Sequence, residues 1–139
     1  MSERGWREWL APDLSDMEDL AEEMFLTLPK AFRERCGNLV IQVEDFPGED
    51  TINDMDLESP YDLLGLYHGV DLTQKSVQDS GGTPDMVFLF RRPILDLWAE
   101  GEETLGGLVT HVLIHEIGHH FGLSDAEMEA IEDAAADAA

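Results

Sequence analysis

Residues 104–130 run TLGGLVTHVLIHEIGHHFGLSDAEMEA, and residues 115–119 of this stretch form the pattern H-E-x-x-H. Residues four apart on a helix lie one above the other, so His115 and His119 can both reach a single Zn²⁺ from one helix face. Glu116 faces the water that such an ion activates and is therefore a candidate general base. The stretch predicts a helix that carries a zinc site.

Two residues beyond the pattern extend it to H-E-x-x-H-x-x-G-x-x-D, because Gly122 and Asp125 follow at intervals of three. From the His and Glu frequencies of the chain, H-E-x-x-H arises by chance with a probability of roughly one in fifty, and the extended form with roughly one in four thousand. Gly122 is suited to the left-handed conformation that ends a helix and turns the chain back toward the metal. Asp125 then supplies a third ligand and leaves the fourth position open, as in catalytic zinc sites.

Asp125 also has a simpler interpretation as a helix-capping residue. Residues 124–127, Ser-Asp-Ala-Glu, have the spacing of a capping box, which places Asp125 in the first turn of a terminal helix. The macrodipole favours an ionised carboxylate there, which suits a metal ligand, but aspartate is common at helix starts without any metal. The corresponding alternative for the H-E-x-x-H residues is a chance helix with a satisfied buried cluster.

Two further histidines flank the pattern. His111 lies four residues before His115, but its predicted position on the helix is toward the glycines rather than the centre of the apolar stripe, which favours a solvent or packing role. His120 faces a different side from His119 and is not expected to be a ligand.

The residues upstream of the motif predict a helix followed by a short sheet. Residues 86–90, MVFLF, are apolar on both faces, which is typical of a central strand. Residues 64–70 are therefore expected at the rim of the sheet, where two glycines allow a peptide backbone to come close. The other expected elements are a helix that starts with a capping box at Ser15 and Glu18, a short helix from Pro29 to Gly37, a strand over 39–44, an acidic loop over 45–60 and a short helix from Pro93 to Gly101.

Length and composition indicate one domain. The chain has 139 residues, of which 43% are hydrophobic, and this is enough apolar material for a core of its own. A single cysteine, Cys36, rules out an internal disulfide framework and is expected to be a packed thiol. We expect an N-terminal arm over 1–14, an α+β domain over 15–133 and an acidic Ala-rich tail over 134–139.

The charge distribution excludes some partners. With 31 acidic residues against 8 basic ones the net charge is −23, and nucleic-acid affinity depends on Lys and Arg that displace counterions. No apolar run is long enough for a signal peptide or a membrane-spanning helix. The sequence therefore predicts a cytoplasmic protein that binds neither nucleic acid nor membranes.

Three segments, HEIGHHFGLSD, LLGLYHGV and MVFLFRRPIL, together resemble the small bacterial zincin-like, minimal metallopeptidase family. The aspartate form of the motif is similar to the metzincin motif of the snapalysin-type proteases, and the resemblance covers most of residues 15–130. It implies a zincin-like α+β fold with an N-terminal helix, a short mixed sheet of about three or four strands, an active-site helix and a C-terminal helix. It also implies one catalytic zinc ion bound by His115, His119 and Asp125, with Glu116 as the general base.

The sequence departs from metzincins after the third ligand. Only 14 residues follow Asp125, and Met128, the only methionine among them, falls in a predicted helix rather than a methionine turn. Any stabilisation of an oxyanion beyond the metal must then come from upstream, where Tyr67, His68, Arg91 and Arg92 are weak candidates.

We therefore expect a monomeric zinc metalloendopeptidase that hydrolyses peptides or proteins through a zinc-activated water, with Glu116 as general base. One alternative is a non-catalytic, zinc-stabilised interaction protein. Another is a zinc hydrolase with a non-peptide substrate, such as the small zinc endoribonucleases, although their motif has a third histidine and lacks the glutamate. The acidity of the chain also allows a preference for basic peptides.

Overall fold

The computed structural model describes residues 5–69 and 84–138, and in these ranges the chain is a mixed α+β structure. This confirms the predicted fold class. The helices are α1 (Leu14–Phe25), α2 (Lys30–Cys36), α3 (Glu49–Asp54), α4 (Arg91–Glu100), α5 (Leu105–His120) and α6 (Asp125–Ala138); the strands are β1 (Val40–Glu44), β2 (Gly65–His68) and β3 (Met86–Phe90); and short 3₁₀ turns cover Trp6–Glu8 and Pro60–Asp62.

The described strands form one mixed sheet in the order β1-β3-β2. Strand β3 pairs parallel with β1, with Leu89 opposite Val43, and antiparallel with β2, with Leu89 also opposite Gly65. Val87 and Leu89 are completely buried, as expected for a strand that has neighbours on both sides and helices on one face. The central position predicted for residues 86–90 is confirmed, and β2 lies at an edge of the described sheet. Val70, at the end of the predicted second strand, lies outside the described residues.

Helix α5 is at the centre of the molecule. It packs against β2 and β3 and also contacts α1, α4 and α6. Val109, Leu113, Ile114 and Ile117 are completely buried, because a helix covered from several directions needs apolar residues around most of its circumference. The histidine motif thus lies on the most enclosed helix, at its C-terminal half.

Two local predictions are wrong, one at the start of α1 and one in the expected acidic loop. Helix α1 begins at Leu14 rather than after Ser15, and its capping box joins Asp13 and Asp16 through bonds of 2.8 and 3.0 Å. Asp13 and Asp16 have the same spacing as Ser15 and Glu18, and an aspartate carboxylate accepts the backbone N–H equally well. The expected acidic loop over 45–60 contains the short helix α3 and leads into a second 3₁₀ turn.

The two ends of the described chain differ in packing. In the expected arm, residues 5–13 include a 3₁₀ turn over Trp6–Glu8 and leave Trp6, Trp9 and Leu10 exposed. In the expected tail, α6 continues to Ala138, and Ala135 is buried in the core. Within the described ranges, no helix has both the length and the apolar composition that crossing a membrane requires.

Candidate metal centre

The chain positions the motif by fixing both ends of α5. At the N-terminus the Thr104 hydroxyl accepts the backbone N–H of Gly107 at 3.0 Å. At the C-terminus Gly122 adopts φ 74°, and the N–H groups of Leu123 and Gly122 donate to the carbonyls of Gly118 and His119 at 2.9 and 3.1 Å. These bonds form a Schellman motif, which confirms the predicted role of Gly122 in ending the helix.

His115 and His119 lie one turn apart on α5. Their ring centroids are 5.7 Å apart and the ring planes are nearly perpendicular, at 82°. His115 is partly buried and His119 is exposed, so the pair is open to solvent on the His119 side. Burial lowers the pKa of His115, and the neighbouring His111 lowers it further, while Glu132 and Asp125 act in the opposite direction. The net effect favours the neutral imidazole, which is the form that binds metals.

Glu116 points toward the edge strand β2. A Cβ atom placed on Gly65 would lie 3.4 Å from the Cγ of Glu116 and 2.8 Å from Val112, so the glycine allows α5 and β2 to approach closely. Burial raises the pKa of the Glu116 carboxyl, while His119 and a hydrogen bond from the backbone N–H of Tyr67 lower it. A carboxylate with a raised pKa is a better proton acceptor near neutral pH, as a general base requires.

Asp125 begins α6, as predicted. The Ser124 hydroxyl accepts the Glu127 N–H at 3.1 Å and the Glu127 carboxylate accepts the Ser124 N–H at 2.8 Å, which confirms the second capping box. Asp125 itself is exposed. Its position therefore depends on the capped turn and on the docking of α6 against α5.

The docking of α6 on α5 depends on a close contact between Gly118 and Met128. A Cβ atom on Gly118 would lie 2.5 Å from the Sδ atom and 2.8 Å from the Cγ atom of Met128, which is completely buried. No side chain fits at position 118 without displacing Met128. This contact joins the helix of the histidines to the helix of Asp125.

The structure brings together a different trio from the predicted one. Among the described residues, the group of His, Cys, Asp or Glu ligand atoms that all lie within 4.8 Å of one another is formed by His111, His115 and Glu132. His119 and Asp125 do not belong to it. The ligand set of His115, His119 and Asp125 thus stays a prediction that rests on the motif.

Sequence reasoning assigned no site role to His111. Its ring is tilted against that of His115 with 4.0 Å between centroids, and its Nδ1 atom lies 3.0 and 3.1 Å from the two carboxylate oxygens of Glu132. The four-residue spacing of His111, His115 and His119 is the sequence feature that could have indicated a role for His111. The partner Glu132 comes from another helix, so its position depends on tertiary packing.

The other upstream candidates have partners of their own. The Tyr67 hydroxyl donates to Asp85 at 2.7 Å, and its ring stacks on His120 at 3.9 Å. Burial and the Asp85 contact together raise the pKa of Tyr67. Arg91 donates to the Asp45 carboxylate and the Pro12 carbonyl, each at 2.7 Å, and the Arg92 guanidinium lies over the Phe46 ring. His68 is exposed on β2.

The part of the chain that contains the histidine motif is similar to a known protein family. The family model of zincin-like metallopeptidases matches residues 36–135, which include β1, the whole of α5 and most of α6. The match covers 100 of 139 residues and contains all four predicted site residues. No match was found among curated proteins.

Proposed function

The chain belongs to the zincin-like metallopeptidase family, and on that premise we propose that it is a zinc-dependent endopeptidase in which Glu116 is the general base and His115, His119 and Asp125 bind the metal. The observation that carries the proposal is the H-E-x-x-H sequence on α5. Its two histidines lie one turn apart on the same side of the helix, and its glutamate is directed toward the edge strand β2. The proposal includes a cytoplasmic monomer as the working form, which rests on the sequence alone.

The donor set fits zinc. Two neutral imidazoles and one carboxylate are a common ligand combination for catalytic zinc, and they leave a coordination position for water or substrate. His119 lies in the last turn of α5, where the negative end of the helix dipole favours a cation. Asp125 acts electrostatically on His115, which supports a location on the same side of the α5–α6 junction.

In the proposed reaction Glu116 takes a proton from the attacking water and returns it to the leaving amine. Zinc, when bound, supplies a Lewis acid that polarises the scissile carbonyl and makes water more acidic. The half-buried position of Glu116 favours proton transfer, because burial raises the pKa of its carboxyl.

Strand β2 is the proposed platform for an extended substrate. The N–H of Phe90 donates to the Leu64 carbonyl at 2.9 Å, and in an antiparallel pair successive residues alternate in the direction of their backbone groups. The N–H and carbonyl groups of Gly65 and the carbonyl of Tyr67 therefore point away from β3, where a peptide backbone can pair with them, whereas the Tyr67 N–H already donates to Glu116. Glu116 lies beside this row of groups.

A non-catalytic zinc-stabilised protein is the second candidate function. It is favoured by the His111, His115 and Glu132 cluster, which joins α5 to α6 as a structural metal would. Replacement of Glu116 distinguishes the two functions. It abolishes peptide cleavage if the protein is an enzyme, whereas a non-catalytic protein has no cleavage to lose.

The test is the Glu116→Gln variant, with the exposed Glu100→Gln as a matched control. Glu116→Gln is expected to keep its zinc and to lose cleavage of a peptide library by at least about a hundredfold, since a general base contributes about 10²–10⁴ in rate. Glu100→Gln should match the wild type in both measurements. Cleavage that persists in Glu116→Gln would contradict the assignment, and stoichiometric zinc with no cleavage in the wild type would favour the non-catalytic function.

A further inference from the structure

We propose that His111, His115 and Glu132 form a second divalent-metal position, which shares His115 with the proposed catalytic set. Their ligand atoms all lie within 4.8 Å of one another. The donors of a tetrahedral zinc ion lie about 3.3 Å apart, given metal–ligand bonds of about 2.0–2.1 Å. Small side-chain rotations are therefore enough to direct all three donors at one ion.

The three side chains come from two neighbouring helices, α5 and α6. His111 and His115 are one turn apart on α5, and Glu132 extends from α6 toward His111 with both carboxylate oxygens at 3.0–3.1 Å from Nδ1. The side chains of His111 and Glu132 are 42% and 29% exposed, so an ion can enter from solvent without unfolding. The Gly118–Met128 contact keeps the two helices in this relation.

The donor chemistry is that of zinc and its neighbours in the transition series. Imidazole nitrogen and carboxylate oxygen bind Zn²⁺ and Co²⁺, and two histidines with one glutamate leave at least one position for water. The His111 Nδ1 atom already faces the Glu132 carboxylate at 3.0–3.1 Å. An ion in this position links α5 to α6.

The shared histidine has a consequence for the proposed enzyme, and this step rests on the proposed function. Neutral imidazole offers one nitrogen lone pair, so His115 binds one ion at a time. A metal at His111 and Glu132 then withholds His115 from the set that contains His119 and Asp125. The three histidines at residues 111, 115 and 119 thus provide two overlapping positions that exclude each other, and the ratio of their affinities sets the fraction of chains that hold the ion in the proposed catalytic position.

The experiment isolates the second position by removing the first. His119→Ala is titrated with Co²⁺ alone, in competition with a chromophoric chelator, and the same titration is run on His119→Ala/Glu132→Gln and His119→Ala/Asp133→Asn. Asp133 is exposed and adjacent to Glu132, so its replacement removes the same charge without removing the ligand. Circular dichroism confirms that each variant is folded, and His119→Ala/His111→Ala removes the site by a second route.

His119→Ala is expected to bind one Co²⁺ per chain, and the added Glu132→Gln or His111→Ala should weaken that binding at least about tenfold. The Asp133→Asn control should stay within about twofold of His119→Ala. A His119→Ala protein that binds no Co²⁺, or equal affinities in the Glu132 and Asp133 variants, would overturn the proposal. Two ions per wild-type chain would contradict the sharing of His115. None of these results depends on peptidase activity, so they are independent of whether the chain is an enzyme.

Discussion

The thiol of Cys36, the sole cysteine of the chain, lies in the core with 6% of the residue exposed. Its Sγ atom donates to the Phe32 carbonyl at 3.3 Å. Burial raises the pKa of this thiol to about 11, and the nearby Arg35 offsets the effect only in part. The residue is a packed thiol, as the sequence predicted.

A labelling experiment checks this environment. At pH 9 a thiol with a pKa of 9 is half ionised, whereas one with a pKa of about 11 is about 1% ionised, so iodoacetamide should alkylate native Cys36 at least about fiftyfold more slowly than the urea-unfolded chain. Because the folded-state pKa is raised, the stabilising contribution of the buried thiol is complete below pH 9 and declines as the pH rises toward 11. Equal alkylation rates in the two states would show that the thiol is accessible.

At the same scale, the residues of the site differ in how far the sequence reveals them. His115, Glu116 and His119 follow from a five-residue pattern, because the helix itself places them on one side. His111 carries the same four-residue spacing, but its importance depends on Glu132, which only the packing of α6 brings near. A contact between two helices has no local sequence signal, and this is why the cluster was missed.

At the scale of elements, the junction of α5 and α6 determines where Asp125 lies. The junction contains a Schellman motif at Gly122, a capping box at Ser124 and the contact between Gly118 and Met128. The first two were predicted because their residues are local in sequence. The third was not, since it joins two helices.

The variant Gly118→Ala tests this junction. The added methyl group must displace buried Met128, so we expect the free energy of unfolding to fall by about 1–3 kcal/mol, even though alanine is the better helix former. In a Met128→Ala background the same substitution should be neutral or stabilising, because the space is then free. Urea denaturation of the four proteins of this double-mutant cycle gives the coupling. An equal cost in both backgrounds would contradict the proposed contact.

Other elements show where sequence patterns succeed and where they fail. Strand β3 was predicted as central because both of its faces are apolar. Helix α3 was missed because it lies in an acidic stretch and has no buried residue, so there is no apolar stripe to indicate it. The start of α1 was misplaced by two residues because two overlapping segments have capping-box spacing, and only the folded chain selects Asp13.

At the scale of the whole molecule, the net charge of −23 acts on any ligand that approaches the site. Two acidic residues, Asp125 and Glu132, belong to the proposed metal positions, and a third, Glu116, is the proposed general base. Most of the others remain available to generate a negative field around a small protein, which raises the local concentration of cationic ligands.

The proposed peptidase is therefore expected to prefer basic substrates. A peptide-library digest should show enrichment of Lys or Arg near the cleaved bond, and kcat/KM for such peptides should fall as NaCl increases from about 0.05 to 0.5 M, because salt screens exposed charges. A library without this enrichment would remove the electrostatic preference and leave the catalytic assignment unaffected. Neutral peptides of the same length, which should show little salt dependence, are the control.

The family match and the fold agree on a zincin-like metallopeptidase, and we propose that its metal lies between His115 and His119. Anomalous scattering at the zinc absorption edge, measured on crystals grown with one equivalent of zinc, locates the ion directly. We expect a peak about 2.1 Å from a ring nitrogen of His115 and of His119, with a carboxylate oxygen of Asp125 completing the protein ligands. A peak that contacts neither His119 nor Asp125 would contradict it.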